Sequence, residues 1–310
     1  MQMCIFKGTT GDYESEINRL KEAFHNADAV LVGAGAGLST AAGLDYSGER
    51  LQKYFGDFAA KYGMPNMYNG CFAPFESREE RWAYWSRWAW VNRYMDIPGD
   101  TLKNLKALLE KKDDWFILTT NIDHSFRRSG FPKDRTCYPQ GDLGLFQCSV
   151  PCHTDTCDNY EAVRRMIEAQ GYVPNKVGYL DVPPDGKIRM TVPTDLIPHC
   201  QRCGAEMDFN LFWDERFVRD SGWHTAHDRY VSWTEAHRTG KILYFELGVG
   251  YNSPGVIKVP FWQMTAANPD AVFASINLDS PSGLDGLQKR SIIISEDIDK
   301  VIRDLLQEMT

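Results

Sequence analysis

The chain of 310 residues has no apolar run that approaches the roughly 20 residues needed to span a bilayer, so no membrane partner is expected. Its first residues, Met1-Gln2-Met3-Cys4-Ile5-Phe6-Lys7, lack the layout of a signal peptide, and a cytoplasmic location is the expectation. Excess positive charge is also missing: 34 Lys and Arg against 42 Asp and Glu leave a formal net charge of −8. Binding phosphates over a broad surface needs a basic face, which argues against nucleic acid as a general partner. No internal repeat or low-complexity tract is present. In a reducing compartment the eight cysteines read as thiols or metal ligands, not disulfides. The remaining composition, 43% hydrophobic and 25% charged, is that of a globular protein long enough for one large domain carrying a smaller one.

The richest segment, residues 29–43, reads Ala-Val-Leu-Val-Gly-Ala-Gly-Ala-Gly-Leu-Ser-Thr-Ala-Ala-Gly. An apolar run, alternate glycines and a small-residue stretch describe a strand, a tight turn and a helix N-terminus whose backbone N–H groups can approach a phosphate. Two common phosphate motifs do not fit. A G-x-G-x-x-G reading from Gly33 needs glycine at position 38, where Leu38 stands, and no Gly-Lys-Ser/Thr follows. An acidic residue is also expected at the end of a second strand about 20 positions further on, but that region, Lys53-Tyr54-Phe55-Gly56-Asp57, is aromatic and not strand-like. Nucleotide binding is the expectation, with a ligand-free turn as the plainer reading of this segment alone.

Around this turn the pattern predicts an α/β protein. Ile17, Leu20, Ala23 and Phe24 have helical spacing and lead into the Val30–Gly33 strand. A second unit runs from a helix with Leu102, Leu105, Leu108 and Leu109 to the strand Trp115–Thr119 and the turn Asn121-Ile122-Asp123. The aromatic stretch from Arg81 to Trp90 reads as the core of a helical insert, and Asp45 to Pro74 as a mobile cover. From Gln147 to about Gly240, prolines at 151, 174, 183, 184, 193 and 198 break long helices. The sheet resumes in Lys241–Leu247 before Gly248-Val249-Gly250, in Ala271–Leu278 with Ile276-Asn277, and in Ser291–Ile294 before a helix that Ser295 could cap. Ligands of open α/β sheets bind beyond the carboxyl ends of the strands, so these turns should share one crevice. The expected architecture is a doubly wound, mostly parallel Rossmann-like sheet from residues 1–48, 99–146 and 241–310. It carries a smaller domain made of a helical insert, 49–98, and a zinc-ribbon-like insert, 147–240.

Cys148-x3-Cys152 and Cys200-x2-Cys203 form two knuckles that suit tetrahedral zinc, with Gly204 permitting the turn around a metal. Cys157 and His153 compete with Cys152 as the fourth ligand, and unmetallated thiols in a stable insert are the alternative. Cys4, Cys71 and Cys137 read as packing residues.

Taken in order, these pieces resemble the sirtuins. Gly33-Ala34-Gly35-Ala36-Gly37-Leu38-Ser39 with Gly43 is similar to the family's phosphate-facing loop, and Thr120-Asn121-Ile122-Asp123 to its Gln-Asn-Ile-Asp motif. Tyr138-Pro139-Gln140-Gly141 stands where the family has its catalytic His-Gly. Gly248-Val249-Gly250 and Ile276-Asn277 fit two later NAD-binding strand ends. The resemblance covers most of residues 14–310 and implies NAD and a structural zinc. It implies that the loop through Ser39 holds the diphosphate, that Gly43, Asp45, Tyr46, Thr120, Ile122, Val249, Gly250 and Ile276 line the cofactor, and that Gly248, Asn252 and Asn277 meet its adenosine half. Asn121 would orient the ribose or a water, Asp123 the nicotinamide amide, and Gln140 the ribose hydroxyls.

The departures carry the most information. Where sirtuins read Gly-Ile-Pro-Asp-Phe-Arg, this chain reads Gly43-Leu44-Asp45-Tyr46-Ser47-Gly48, without the proline and arginine. Gln140 replaces a histidine that in deacylation takes a proton from a ribose hydroxyl; a neutral imidazole accepts that proton near pH 7 and an amide does not. Cleavage of the nicotinamide–ribose bond needs no such base. His124, beside the reactive turn, is the candidate substitute base, but a residue just beyond that turn is expected to face away along the following helix. The combination resembles the macrodomain-linked microbial sirtuins, which are protein ADP-ribosyltransferases. That resemblance implies a lipoylated glycine-cleavage H-like carrier protein as acceptor, a linked macrodomain hydrolase that removes the mark, and a role in oxidative stress. A lysine deacylase with another base and a non-catalytic NAD or ADP-ribose sensor are the rival readings.

Overall fold

In the computed structural model, residues 4–182, 186–279 and 281–307 are described; Pro183 and Pro184, expected to break helices, lie outside them. The strands of the main sheet are β1 (Ala29–Ala34), β2 (Trp115–Thr119), β3 (Thr136–Cys137), β7 (Ile242–Leu247), β8 (Val272–Ile276) and β9 (Ser291–Ile294). A separate antiparallel sheet contains β4 (Gly141–Cys148), β5 (Cys157–Asp158) and β6 (Met207–Leu211). The main sheet has the order β9-β8-β7-β1-β2-β3 and every neighbouring pair runs parallel. All residues of β1, β2 and β7 are buried, as continuous apolar runs must be when helices cover both faces.

On one face pack α1 (Tyr13–Asn26), α5 (Thr101–Leu109) and α9 (Ile298–Gln307). Ile298, Val301, Ile302 and Leu305 form the buried stripe of α9. Ser295 does not cap this helix. Its hydroxyl donates to the Leu278 carbonyl, while Asp297, the residue next to the helix, accepts the Lys300 amide at 3.0 Å. On the other face lie α7 (Ser221–Ala236), through Tyr230 and Trp233, and α8 (Lys258–Ala267), through Phe261 and Trp262. Helix α7 falls in the span expected for the second insert, yet it lies against the edge of the main sheet, where Trp233 Nε1 donates to Asp114 at 2.7 Å.

The order in which strands are added reverses at the centre of the sheet. From β1 the strands proceed outward through β2 to β3, and from β7 outward through β8 to β9. The central pair, β1 and β7, is therefore the switch point, and ligands of open α/β sheets bind in the crevice beyond the carboxyl ends of such a pair.

The two inserts, distant in sequence, share one core. Trp82 and Trp88 of α4 (Arg78–Ala89) meet Phe146 of β4 and Phe209 of β6, with Trp82 edge-on to Phe146 at 5.6 Å between centroids. Arg87 is fully buried and joins α3 (Gly48–Tyr62), α4 and α6 (Tyr160–Gln170) by bonds to Asp57, the Tyr54 carbonyl and Gln170. Half of the segment expected to be a mobile cover is α3, whose Leu51, Tyr54, Phe55 and Phe58 recur at helical spacing and enter this core. Beyond α4 the chain passes through a π-helical turn, Trp90–Tyr94, which carries Asn92 and Arg93 toward the crevice side of the domain junction.

Glu246, one residue before the end of β7, is paired with Lys258 of α8 at 2.6 Å, and neither side chain has any exposure. Ser275 of β8 donates to the same carboxylate oxygen at 2.7 Å. Burial pushes the Glu246 carboxyl up, and Lys258 pulls it back. Replacing Lys258 by Met leaves that carboxylate without its cation, and urea unfolding should show a loss of about 3–5 kcal/mol. A loss below about 1 kcal/mol would show that the pair is not desolvated as the packing requires.

Candidate active site

The glycines after β1 are required by a backbone-to-backbone contact. A Cβ on Gly37 would lie 2.7 Å from Gly248 Cα, and one on Gly35 would lie 2.6 Å from the Gly248 carbonyl oxygen. Gly248 has φ +62, and its own Cβ would sit 2.5 Å from Gly37 Cα. The two turns are joined by Gly35 N to Leu247 O and Gly37 N to Gly248 O, both 3.0 Å, while Gly248 N reaches Ile276 O at 2.9 Å. Thus Gly35 and Gly37 spend their amides on the neighbouring turn, and Leu38 N is bonded to Gly35 O. Gly33 has a different reason: a side chain there would strike Ile257 and Phe261, which pack α8 on the sheet. Ala34 ends β1, and Ala36 begins α2 (Ala36–Ala41), which is followed by Gly43 at φ +87. On the far side Val249 is buried and its carbonyl accepts from Asn277 at 3.2 Å, whereas Gly250 and Asn252 are exposed.

Asn121 and Asp123 are buried beneath this crevice at the end of β2. Thr120 N, in the same turn, bonds Ala34 O at 3.1 Å and so ties the ends of β1 and β2 together. Asn121 Nδ2 donates to Gly35 O at 2.9 Å and to Ser39 Oγ at 3.0 Å; Ser39 Oγ in turn donates to Asp123 Oδ2 at 2.6 Å. The other Asp123 oxygen accepts the Ser125 amide at 2.8 Å, so the residue both orders the short helix Ser125–Arg128 and belongs to the network. Ser39, expected at the diphosphate, is bonded to these two side chains. The Tyr46 phenol is pushed up by burial and by the Asp123 carboxylate. Asp45 Oδ1 accepts the Ser47 amide at 3.1 Å, and its carbonyl accepts from Arg50 at 2.9 Å. Arg50, which the sequence reading missed, also reaches Asn92 and the Val91 carbonyl.

Gln140 is half-buried between three segments. Its Nε2 donates to Ser253 Oγ at 3.2 Å, and its main-chain carbonyl accepts the Phe212 amide at 3.1 Å. Ile122 O accepts Leu143 N at 3.0 Å, which holds the Asn121–Asp123 turn against the segment that follows Gln140. His124 does not face away along the helix. Its ring stacks on Tyr138 at 4.0 Å and its Nε2 lies 3.3 Å from Asp142 Oδ2. Burial pushes its pKa down, against the pull of Asp142. Arg93 and Asp142 carried no signal in sequence, because nothing local marks a partner 49 residues away, and the pairing of Ser253 with Gln140, 113 residues apart, was equally unmarked.

The sulfurs of Cys148, Cys152, Cys200 and Cys203 all lie within 4.8 Å of one another. The pairs Cys148–Cys203 and Cys152–Cys200 are 3.5 and 3.6 Å apart, near the separation of about 3.8 Å that zinc–sulfur bonds of about 2.3 Å imply for a tetrahedron. The amides of Cys203 and Arg202 pull the Cys200 thiol down, while burial and the neighbouring thiols push Cys152 up. Cys157 lies outside the cluster, and His153 touches it only through Cys200, at 3.4 Å. The four cysteines fit a structural zinc.

No protein-family model matches the chain. Among solved structures, a Sir2 protein with a p53 peptide and NAD+ covers 94% of this chain and 98% of its own, with TM-score 0.53 and 14% identity. A mutant Sir2 homologue with ADP-ribose gives TM-score 0.53 at 13% identity, over 94% and 97% of the two chains. The fold is that of the sirtuins. A protein ADP-ribosyltransferase of Staphylococcus aureus is 34% identical over 290 residues, 93% of this chain and 86% of the relative. A probable bifunctional ADP-ribose hydrolase/ADP-ribosyltransferase of Fusarium oxysporum f. sp. cubense is 30% identical over 251 residues, 80% of this chain and 40% of that protein. The chain belongs to the sirtuin-fold protein ADP-ribosyltransferases.

Stripping zinc with a chelator should lower the thermal midpoint and loosen the insert before the main sheet unfolds, because the metal's binding energy is folding energy there. Metal analysis and a melting curve of Cys200→Ser check this; full stability in a zinc-free protein would contradict it.

Proposed function

We propose that the protein transfers ADP-ribose from NAD to a protein acceptor and releases nicotinamide. Gln140 carries the reading: an amide bonded to Ser253 occupies the place that the sirtuin resemblance gives to the proton-accepting imidazole. Acyl removal demands a group there that accepts a proton, and sugar transfer does not. As the C1′–nitrogen bond breaks, its electrons leave with nicotinamide and positive charge develops at C1′. A lone pair of the acceptor side chain forms the new bond to C1′, and the acceptor's proton passes to water.

Asn121 has both amide hydrogens fixed, one by Gly35 O and one by Ser39, so its carbonyl is presented in one orientation to the ribose or a water. Asp123, whose carboxylate keeps unused lone pairs, accepts from the nicotinamide amide. Gln140 positions the ribose hydroxyls, and the paired glycine turns receive the diphosphate and adenosine. The acceptor is a lipoylated H-like carrier protein. The Fusarium relative, named as both hydrolase and transferase, supports a macrodomain partner that reverses the mark. Among the described residues no helix is long and apolar enough to cross a membrane, and a cytoplasmic setting suits this acceptor.

Incubation with labelled NAD and a lysate of the host, with and without lipoylated carriers, tests the proposal. Label should move to one small carrier protein with release of nicotinamide, and Asn121→Ala should slow that release by roughly a hundredfold or more. Rapid turnover of acyl-lysine peptides that survives Gln140→Ala would replace transfer by deacylation.

A further inference from the structure

Among the described residues His124 is the single non-glycine with a positive φ, at 53°, and it immediately follows Asp123. Left-handed backbone resists most side chains, and such strain gathers where the surroundings over-determine a functional geometry. Glycine would adopt this conformation freely, so the side chain must account for the histidine. Its contacts straddle Gln140. One ring face is stacked on Tyr138, two residues before Gln140, with 19° between planes. The edge points to Asp142, two residues after it. Tyr138 offers this face with no hydrogen-bond partner for its hydroxyl among the described residues.

Asp142 is itself fixed. Arg93 donates to it through Nε at 2.8 Å and Nη2 at 3.3 Å, and the Gly144 amide at 2.6 Å. Gly144 leaves room for this cluster, since a Cβ there would lie 2.9 Å from Arg93 Nε and 3.0 Å from Asp142 Oδ1. The charged groups around the ring are thus Asp142, Arg93, Asp123 and Arg127.

We infer that His124 is a positioning residue that clamps the Gln140 loop on both sides to the Asn121–Asp123 turn, setting where the Gln140 amide meets the ribose. This rests on the proposed role of Gln140 in orienting ribose. The ring acts through Tyr138 and Asp142 and takes no proton from the substrate.

Two substitutions separate this from its rivals. His124→Gly removes the ring and relieves the backbone, so the fold is retained. His124→Gln places an amide nitrogen where ring Nε2 stands but cannot serve as a base. Amide exchange at residues 141–144 is read without any activity, and nicotinamide release from NAD is read beside it. His124→Gly should raise exchange there at least tenfold and lower kcat at least tenfold, with the KM for NAD within about threefold. His124→Gln should restore both most of the protection and most of the rate. Unchanged exchange in His124→Gly overturns the clamp. A Gln variant as slow as the Gly variant but fully protected makes the imidazole a proton acceptor instead. Should the wild-type protein release nicotinamide without labelling any protein, the transfer reading fails while the clamp is still decided by exchange and kcat.

Discussion

Two backbones in contact set the geometry of this protein. The turn after β1 lies so close to the turn after β7 that neither Gly37 nor Gly248 has room for a Cβ. Their hydrogen bonds join adjacent strand ends at the point where the strand order reverses. The crevice, the start of α2 and the position of Ser39 follow from that approach. Through Ser39 the contact extends to Asn121 and Asp123, which are held by the same loop that the glycines shape.

The smaller domain contributes from the other side. Its two inserts form one aromatic core, fastened by the buried Arg87 guanidinium. That core fixes α3 and the π-helical turn, and so presents Arg50 to Asp45 and Arg93 to Asp142. The cysteine cluster sits where β4 ends and β6 begins, which makes it a staple for the sheet that leads out of Gln140. The candidate site at the junction therefore draws on elements of the main sheet and of the inserts, and the cysteine cluster takes no part in its hydrogen-bond network.

Much of this was legible because it is local or periodic. Continuous apolar runs announced buried parallel strands, the glycine turns marked their carboxyl ends, and paired cysteines announced the cluster. The reason for the glycines was not legible: they looked like phosphate ligands, and Gly35 and Gly37 prove to serve a turn more than 200 residues distant, at Leu247 and Gly248. Asp45 to Pro74 looked loose because Gly, Pro and Asn are scattered there, yet Leu51, Tyr54, Phe55 and Phe58 decide its state by burial. His124 shows the same limit. Nothing in its neighbours told that its backbone would turn left-handed and bring the ring onto Tyr138 and Asp142.

The close approach of the two turns is tested most directly by titrating NAD into Gly37→Ala, at a temperature where circular dichroism shows the variant folded. The added methyl must push the Gly248 turn away, and NAD affinity should fall at least tenfold, about 1.4 kcal/mol. Wild-type affinity in a folded Gly37→Ala protein would contradict the claim that this backbone contact builds the nucleotide crevice.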